Sequence, residues 1–247
     1  MSSALKDSSP PSHPRVAAIV PAYNEAETLA EVLSVLKATP RIQEILVVSD
    51  GSTDGTVEIA RAAKLRAIHL RENHGKGTAM AVGVAHTDAD ILLFVDGDIL
   101  NLTGSLLERL MEPVLAGTSD MNVGVRNRGA VLNTMQQRTG PLLSGIRCLR
   151  REIFEAVPES HREGFAIETG LNWACGELGM RTTTIVMHNL KHLVKEKKRG
   201  LWRGMKARVR MFAAVFGAYL VLCVKRPVLR HAEAGPLFQP ELEYINF

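Results

Sequence analysis

The sequence predicts an α/β fold with a mainly parallel central sheet flanked by helices. Three observations predict it. Short apolar runs recur at Arg15–Val20, Glu44–Val48, Leu65–Leu70 and Leu92–Val95, each of strand length and each bounded by turn residues. Between them lie segments with helical spacing, such as Leu29, Val32, Leu33 and Leu36. Each strand candidate also ends in a polar or glycine-rich loop. This alternation implies βαβ units, whose right-handed crossovers put those loops along one edge of the sheet.

The first strand breaks at Pro21-Ala22-Tyr23-Asn24-Glu25, where Asn24 is a candidate helix cap. The second closes in Ser49-Asp50-Gly51-Ser52-Thr53-Asp54-Gly55 before a helix from Thr56 to about Lys64. Asp50 and Asp54 suit hydrogen bonds from a ribose and a base, and equally suit Asx turns and helix capping, the commoner use of Asp in such loops. The third strand leads through Arg71-Glu72-Asn73-His74-Gly75-Lys76-Gly77 into a helix from Thr78 to about Ala85. Glycines around a lysine at a helix start suggest an anion site. A P-loop is excluded, because the position five before Gly75 is Leu70. A dinucleotide fingerprint is absent after the first strand.

The fourth strand delivers Asp96-Gly97-Asp98. Two carboxylates where a buried strand leaves the sheet can receive a divalent cation, although Asp-Gly by itself is a turn signal. Further on, Ser119–Val125 is a strand candidate, Leu143–Arg147 follows a proline, and Glu152–Val157 reads as a short helix. A helix carrying Leu171, Trp173, Ala174 and Leu178 follows Glu163–Gly170, which places Glu168 in its first turn, where a carboxylate also complements the helix dipole. Thr182–Val186 is the last strand candidate. His188 follows it, and His192 is four residues beyond.

Pro21 to Glu25, Asp50 to Asp54, Gly75 to Gly77 and Asp96 to Asp98 resemble, in order and spacing, the successive motifs of family 2 type glycosyltransferases with the GT-A fold. The resemblance implies that Pro21, Tyr23, Glu25 and Asp50 line the nucleotide pocket, that Lys76 sits near the nucleotide, and that Asp96, Gly97 and Asp98 form the DxD motif holding metal and nucleotide sugar. Relatives often carry two consecutive acids where this chain has Ser49-Asp50. Gly164 to Glu168 is similar to the Gly-aromatic-x-x-Glu motif of glucosyl-3-phosphoglycerate synthases, which implies that Glu168 faces the acceptor. In the same resemblance Gly145 lies beside the donor sugar, and His188, rivalled by His192, completes the metal site with Asp98. The implied cofactor is Mg2+ or Mn2+. The implied donor is UDP-glucose first and GDP-mannose second. The acceptor is a phosphorylated compound, either a small acid such as phosphoglycerate or, by similarity to dolichyl-phosphate sugar synthases, a polyprenyl phosphate. A non-catalytic nucleotide-sugar binder is the competing reading.

The chain has 247 residues and 46% hydrophobic content, enough for one sizeable domain, expected over residues 15–190. Residues 1–14 read as a flexible tail without the features of a signal or transit peptide. Cys148, Cys175 and Cys223 match no metal spacing and suggest reduced thiols in a cytoplasmic protein. The net charge of +4 is uneven: 12 Lys and Arg face one acid between Lys191 and Arg230, and the rest of the chain is net acidic. This basic segment, 191–230, contains the apolar run Met211–Val224, too short to span a bilayer. It reads as a core or homodimer helix, or as a peripheral membrane contact on the inner face. It matches no nucleic-acid module. Residues 231–247 read as a C-terminal tail.

Overall fold

A computed structural model describes residues 14–126, 144–162, 166–192 and 241–245. Within them an eight-stranded sheet runs in the order β10-β3-β2-β1-β4-β7-β6-β8. Its strands are β1 (Val16–Ala22), β2 (Glu44–Asp50), β3 (Arg66–Leu70), β4 (Ile91–Phe94), β6 (Met121–Arg126), β7 (Arg147–Arg150), β8 (Thr182–Met187) and β10 (Leu242–Ile245). A second, two-stranded sheet joins β5 (Ile99–Leu100) to β9 (Lys191–His192). The helices are α1 (Leu29–Lys37), α2 (Thr56–Ala62), α3 (Lys76–Ala85), α4 (Gly104–Leu115), α5 (Arg151–Glu155) and α6 (Ala166–Glu177).

β1 is buried along its whole length and pairs in parallel with β2 and β4. Because side chains alternate across a strand, Val16, Ala18 and Val20 join a core with α1, α2 and α4, while Ile19 joins a core with α3, α5 and α6 on the other face. A strand buried on both faces reads as an unbroken apolar run, which is how β1 and β4 announce themselves in the sequence.

The sheet is mainly parallel, as expected, and two strands run the other way. β7 lies antiparallel between β4 and β6, with Phe94 opposite Arg147. Its beginning, not its end, therefore lies at the edge where β1, β2, β3 and β4 finish. The other is β10, antiparallel on β3 in a stretch that the sequence presents as an aperiodic tail. Tyr244 anchors it by a hydrogen bond to His86. Residues 1–13 of the expected N-terminal tail, and the basic and apolar segment beyond His192, lie outside the described residues. Among the described residues no helix is long and apolar enough to cross a membrane.

Two local expectations change. Asn24 does not cap a helix: its backbone is left-handed, φ 55°, and its side chain accepts the Thr53 N–H at 2.8 Å, while α1 starts only at Leu29. α3 begins two residues earlier than expected, at Lys76, because Gly75 takes φ 90° and turns the chain straight into the helix.

α3 lies close against β1. A Cβ on Gly83 would come within 2.4 Å of the Ile19 Cγ2 methyl, on a buried, β-branched side chain that cannot swing away. In Gly83→Ala the gain in helix propensity, about 1 kcal/mol, opposes an overpacking cost of about 1–3 kcal/mol. The urea midpoint is expected to fall, and a midpoint raised by the alanine would show that α3 has room to move.

Candidate active site

The loops after β1, β2 and β4 and the turn before the antiparallel β7 meet at one edge of the sheet. Asp50 ends β2, and its two carboxylate oxygens accept the backbone N–H groups of His74 and Gly75, each at 2.8 Å. The anion that the glycine-lysine loop was expected to attract is thus supplied from within the chain, at the start of α3. Burial pushes the Asp50 carboxyl pKa up by more than these two donors pull it down. The loops themselves are in close contact: a Cβ on Gly51, which has φ 69°, would lie 2.6 Å from the Asn73 nitrogen. Asp54 behaves as an Asx-turn residue and the helix N-cap is Gly55, the Asp54 Oδ1 accepting the Thr56 N–H at 3.0 Å and its Oδ2 the Ala26 N–H at 3.2 Å.

Fixing Gly75 aims Lys76 across the edge. Its Nζ lies 2.6 Å from Asp96 Oδ1 and 3.0 Å from Glu168 Oε1, so one ammonium joins the end of β4 to the first turn of α6. Burial alone would lower the lysine pKa, but the Asp96 and Glu168 carboxylates together outweigh it and hold the pKa above the ordinary value. Gly145, just before β7, backs onto this bridge. An added Cβ would fall 2.1 Å from Asp96 Oδ2 and 2.2 Å from Lys76 Nζ, so the close approach expected of Gly145 is made to the Lys76–Asp96 pair.

On the other side, Glu25 packs on Gly97, whose added Cβ would lie 3.3 Å from Glu25 Cγ. Thr56 Oγ1 accepts the Glu25 N–H at 2.9 Å, and Thr28 Oγ1 donates to the Gly97 carbonyl at 2.7 Å. Pro21 lies within β1 opposite Val48, and Tyr23 is half-buried just beyond the strand. Asp98 is half-buried and His188 exposed. The segments carrying them run side by side, since Ile99 pairs with His192 and Asn101 Nδ2 donates to the Asn189 carbonyl at 3.0 Å. His192 thus lies in a two-residue strand, four residues beyond His188.

The donor set suits a hard divalent cation held largely by its ligand. Among the described residues no three His, Cys, Asp or Glu side chains form a metal cluster. A half-buried carboxylate such as Asp98 would leave most coordination positions of a cation to phosphate oxygens and water, the usual arrangement for Mg2+ at a nucleotide.

Two contributors are missing from the sequence reading. Thr28 gives no signal. Arg147 does give one, a charge inside the apolar run Ile146-Arg147-Cys148-Leu149. Its side chain is fully buried and reaches the carbonyls of both Ser144 and Glu168.

The sequence model of Glycosyl transferase family 2 matches residues 17–166. Glycosyltransferase AglJ of Haloferax volcanii is 30% identical over 194 residues, 71% of this chain and 63% of that protein. Undecaprenyl-phosphate 4-deoxy-4-formamido-L-arabinose transferase of Yersinia pestis is 27% identical over 213 residues, 76% of this chain and 64% of that protein. The matches therefore span less than two thirds of these relatives' own length. Among solved structures, glucosyl-3-phosphoglycerate synthase from Mycobacterium tuberculosis in complex with Mn2+, UDP and glucosyl-3-phosphoglycerate aligns with TM-score 0.68 at 22% identity, covering 83% of this chain and 80% of that one. The same enzyme in complex with Mg2+ and UDP aligns with TM-score 0.68 at 22% identity, over 83% and 79%. This likeness shows the GT-A fold expected from the sequence.

Removing the central cation tests the bridge. Lys76→Met leaves two carboxylates facing each other without compensation and is expected to cost about 3–5 kcal/mol of stability. Since the folded pKa of Lys76 is raised, its contribution is complete below the unfolded lysine pKa of about 10.4 and declines as pH rises through the folded value. The difference in stability between wild type and Lys76→Met should therefore shrink above about pH 10.4, and a difference that grows there would contradict the bridge.

Proposed function

The chain belongs to glycosyl transferase family 2, and from that premise we propose that it moves a sugar from a nucleoside diphosphate donor to a phosphorylated acceptor. The observation that carries this reading is the convergence of Lys76, Asp96, Gly145 and Glu168 beside Asp98 at the carboxyl edge of the sheet, where open α/β sheets receive their ligands. It also counts against the non-catalytic binder, which has no need of a buried acid tied to Asp96 through Lys76.

In this reading Pro21, Tyr23, Glu25 and Asp50 bound the nucleoside pocket. Asp50 does so while holding the Lys76 loop, since a carboxylate that accepts two N–H bonds keeps further lone pairs. Asp96 and Gly97 meet the sugar-diphosphate end, and Gly145 lies beside the donor sugar. Asp98, with His188 as the second protein ligand, holds Mg2+ or Mn2+. The bound cation supplies Lewis-acid stabilisation of charge on the departing diphosphate. Glu168 orients the acceptor and, if the reaction inverts the anomeric centre, takes its proton. An imidazole ligand suits Mn2+ better than Mg2+.

The undecaprenyl-phosphate relative favours a polyprenyl phosphate as acceptor, and the basic, apolar stretch after Lys191 has the composition for a lipid surface. A second reading, phosphoglycerate, is favoured by the Gly164–Glu168 motif and by the product named in the aligned synthase complex. UDP-glucose and GDP-mannose are the donors to offer first.

Release of nucleoside diphosphate from each donor, measured with undecaprenyl phosphate or phosphoglycerate present, tests the proposal. Turnover is expected with Mn2+ or Mg2+ and not in EDTA, and Asp98→Ala should abolish it while leaving the fold intact. Glu168→Gln keeps an oxygen for Lys76 and removes the base, so transfer should fall about 100-fold or more with Mn2+–UDP affinity nearly unchanged. His188→Ala should weaken Mn2+–UDP binding more than His192→Ala. Turnover that persists in EDTA would sink the metal assignment, and equal losses of UDP binding and transfer in Glu168→Gln would move that residue out of the acceptor site.

A further inference from the structure

Resting on the transferase reading, we infer that Arg147 is a positioning residue that locks the Ser144–Gly145 turn to the first turn of α6, and so sets where Glu168 stands relative to the donor sugar. Its guanidinium is fully buried at the start of β7. Nη2 and Nε both donate to the Ser144 carbonyl, at 2.7 and 3.1 Å. Nη1 reaches the Glu168 carbonyl at 3.4 Å and Asn172 Oδ1 at 3.3 Å, and it also lies 3.9 Å from Met121 Sδ. One rigid fork therefore grips two segments that are otherwise far apart in the chain.

The chemistry of burial argues for a functional purpose. An arginine taken out of water is costly, and apolar side chains of similar volume usually serve a core as well or better. Here the hydrogen-bonded contacts run to two carbonyls and an amide, so the charge is not retained for a direct bond to an acid. What an apolar residue could not supply is the tie between those carbonyls. Gly145 carries the consequence, because the turn held by Arg147 is the one whose Cα backs onto Asp96 and Lys76. Lys76 in turn holds the Glu168 carboxylate. Arg147 thus fixes Glu168 from its backbone while Lys76 fixes it from its side chain, and a shift of the turn would move both.

Lysine at this position keeps the charge and loses the fork, since one ammonium cannot replace the two-sided grip. In the full-length protein, Arg147→Lys is expected to lower kcat for transfer about 100-fold, the size of effect that a small misplacement of a reacting group produces. Mn2+–UDP affinity, which does not involve Glu168, should stay within about threefold of wild type. In a Glu168→Gln background the same substitution should cost at most about threefold more in kcat, because residues acting through one another are not additive. Full additivity, or UDP affinity falling in step with kcat, would return Arg147 to a purely structural role. Should Arg147→Lys fail to fold, Asn172→Ala removes one acceptor of the fork and is put through the same cycle, with a smaller loss of kcat expected and the same two outcomes overturning the inference. Amide hydrogen exchange separates this inference from the transferase reading. Faster exchange in Gly145–Ile146 and in Ile167–Thr169 together is expected in Arg147→Lys whatever the substrate, and a change confined to either segment would contradict the tie.

Discussion

The site depends on one ammonium shared by two carboxylates. Lys76 stands between Asp96, just beyond β4, and Glu168 in α6. Compared with apolar side chains of similar volume, a bridge of this kind contributes little net stability, because desolvating three charged groups offsets most of their attraction. What it supplies is position. The first half of the chain provides the lysine and one acid, the second half provides the other acid, and the geometry exists only when both halves have docked.

The surrounding structure serves that docking. Asp50 spends its carboxylate on the His74 and Gly75 amides, which fixes where α3 begins and thereby where Lys76 points. β7 runs antiparallel between β4 and β6, so the turn that precedes it arrives at the same edge as the ends of the parallel strands. Gly145 can then lie against the bridge because it has no Cβ. Thr28 holds the Gly97 carbonyl from the opposite side. Asp98, half-buried, follows directly on Gly97.

Much of this was legible in the sequence, for identifiable reasons. β1, β2, β3 and β4 are buried strands followed by polar loops, so their apolar runs and terminal Asp, Gly and Lys residues mark both the element and the edge. The alternatives weighed at Asp54 resolved toward an Asx turn. Asn24 misled because Asn tolerates a left-handed backbone as readily as it caps a helix, and the choice between them is made by the distant Thr53 amide. β7 and β10 have no periodic signature of their own: their pairing is decided by neighbours far away in the chain. Arg147 was visible as a charge in an apolar run, but its meaning lies in which carbonyls it meets, and those contacts are tertiary.

Binding of a nucleotide sugar at this edge, through a divalent cation held by Asp98, can be tested without knowing the acceptor. The most direct measurement is the thermal midpoint of the protein against a panel of nucleoside diphosphate sugars, with and without Mn2+, since a ligand bound only by the folded state raises its apparent stability. The account predicts that at least one UDP- or GDP-sugar raises the midpoint, that the rise requires the cation, and that Asp98→Ala loses it. A panel that leaves the midpoint unmoved in the presence of Mn2+, or an Asp98→Ala protein that responds as wild type does, would contradict it.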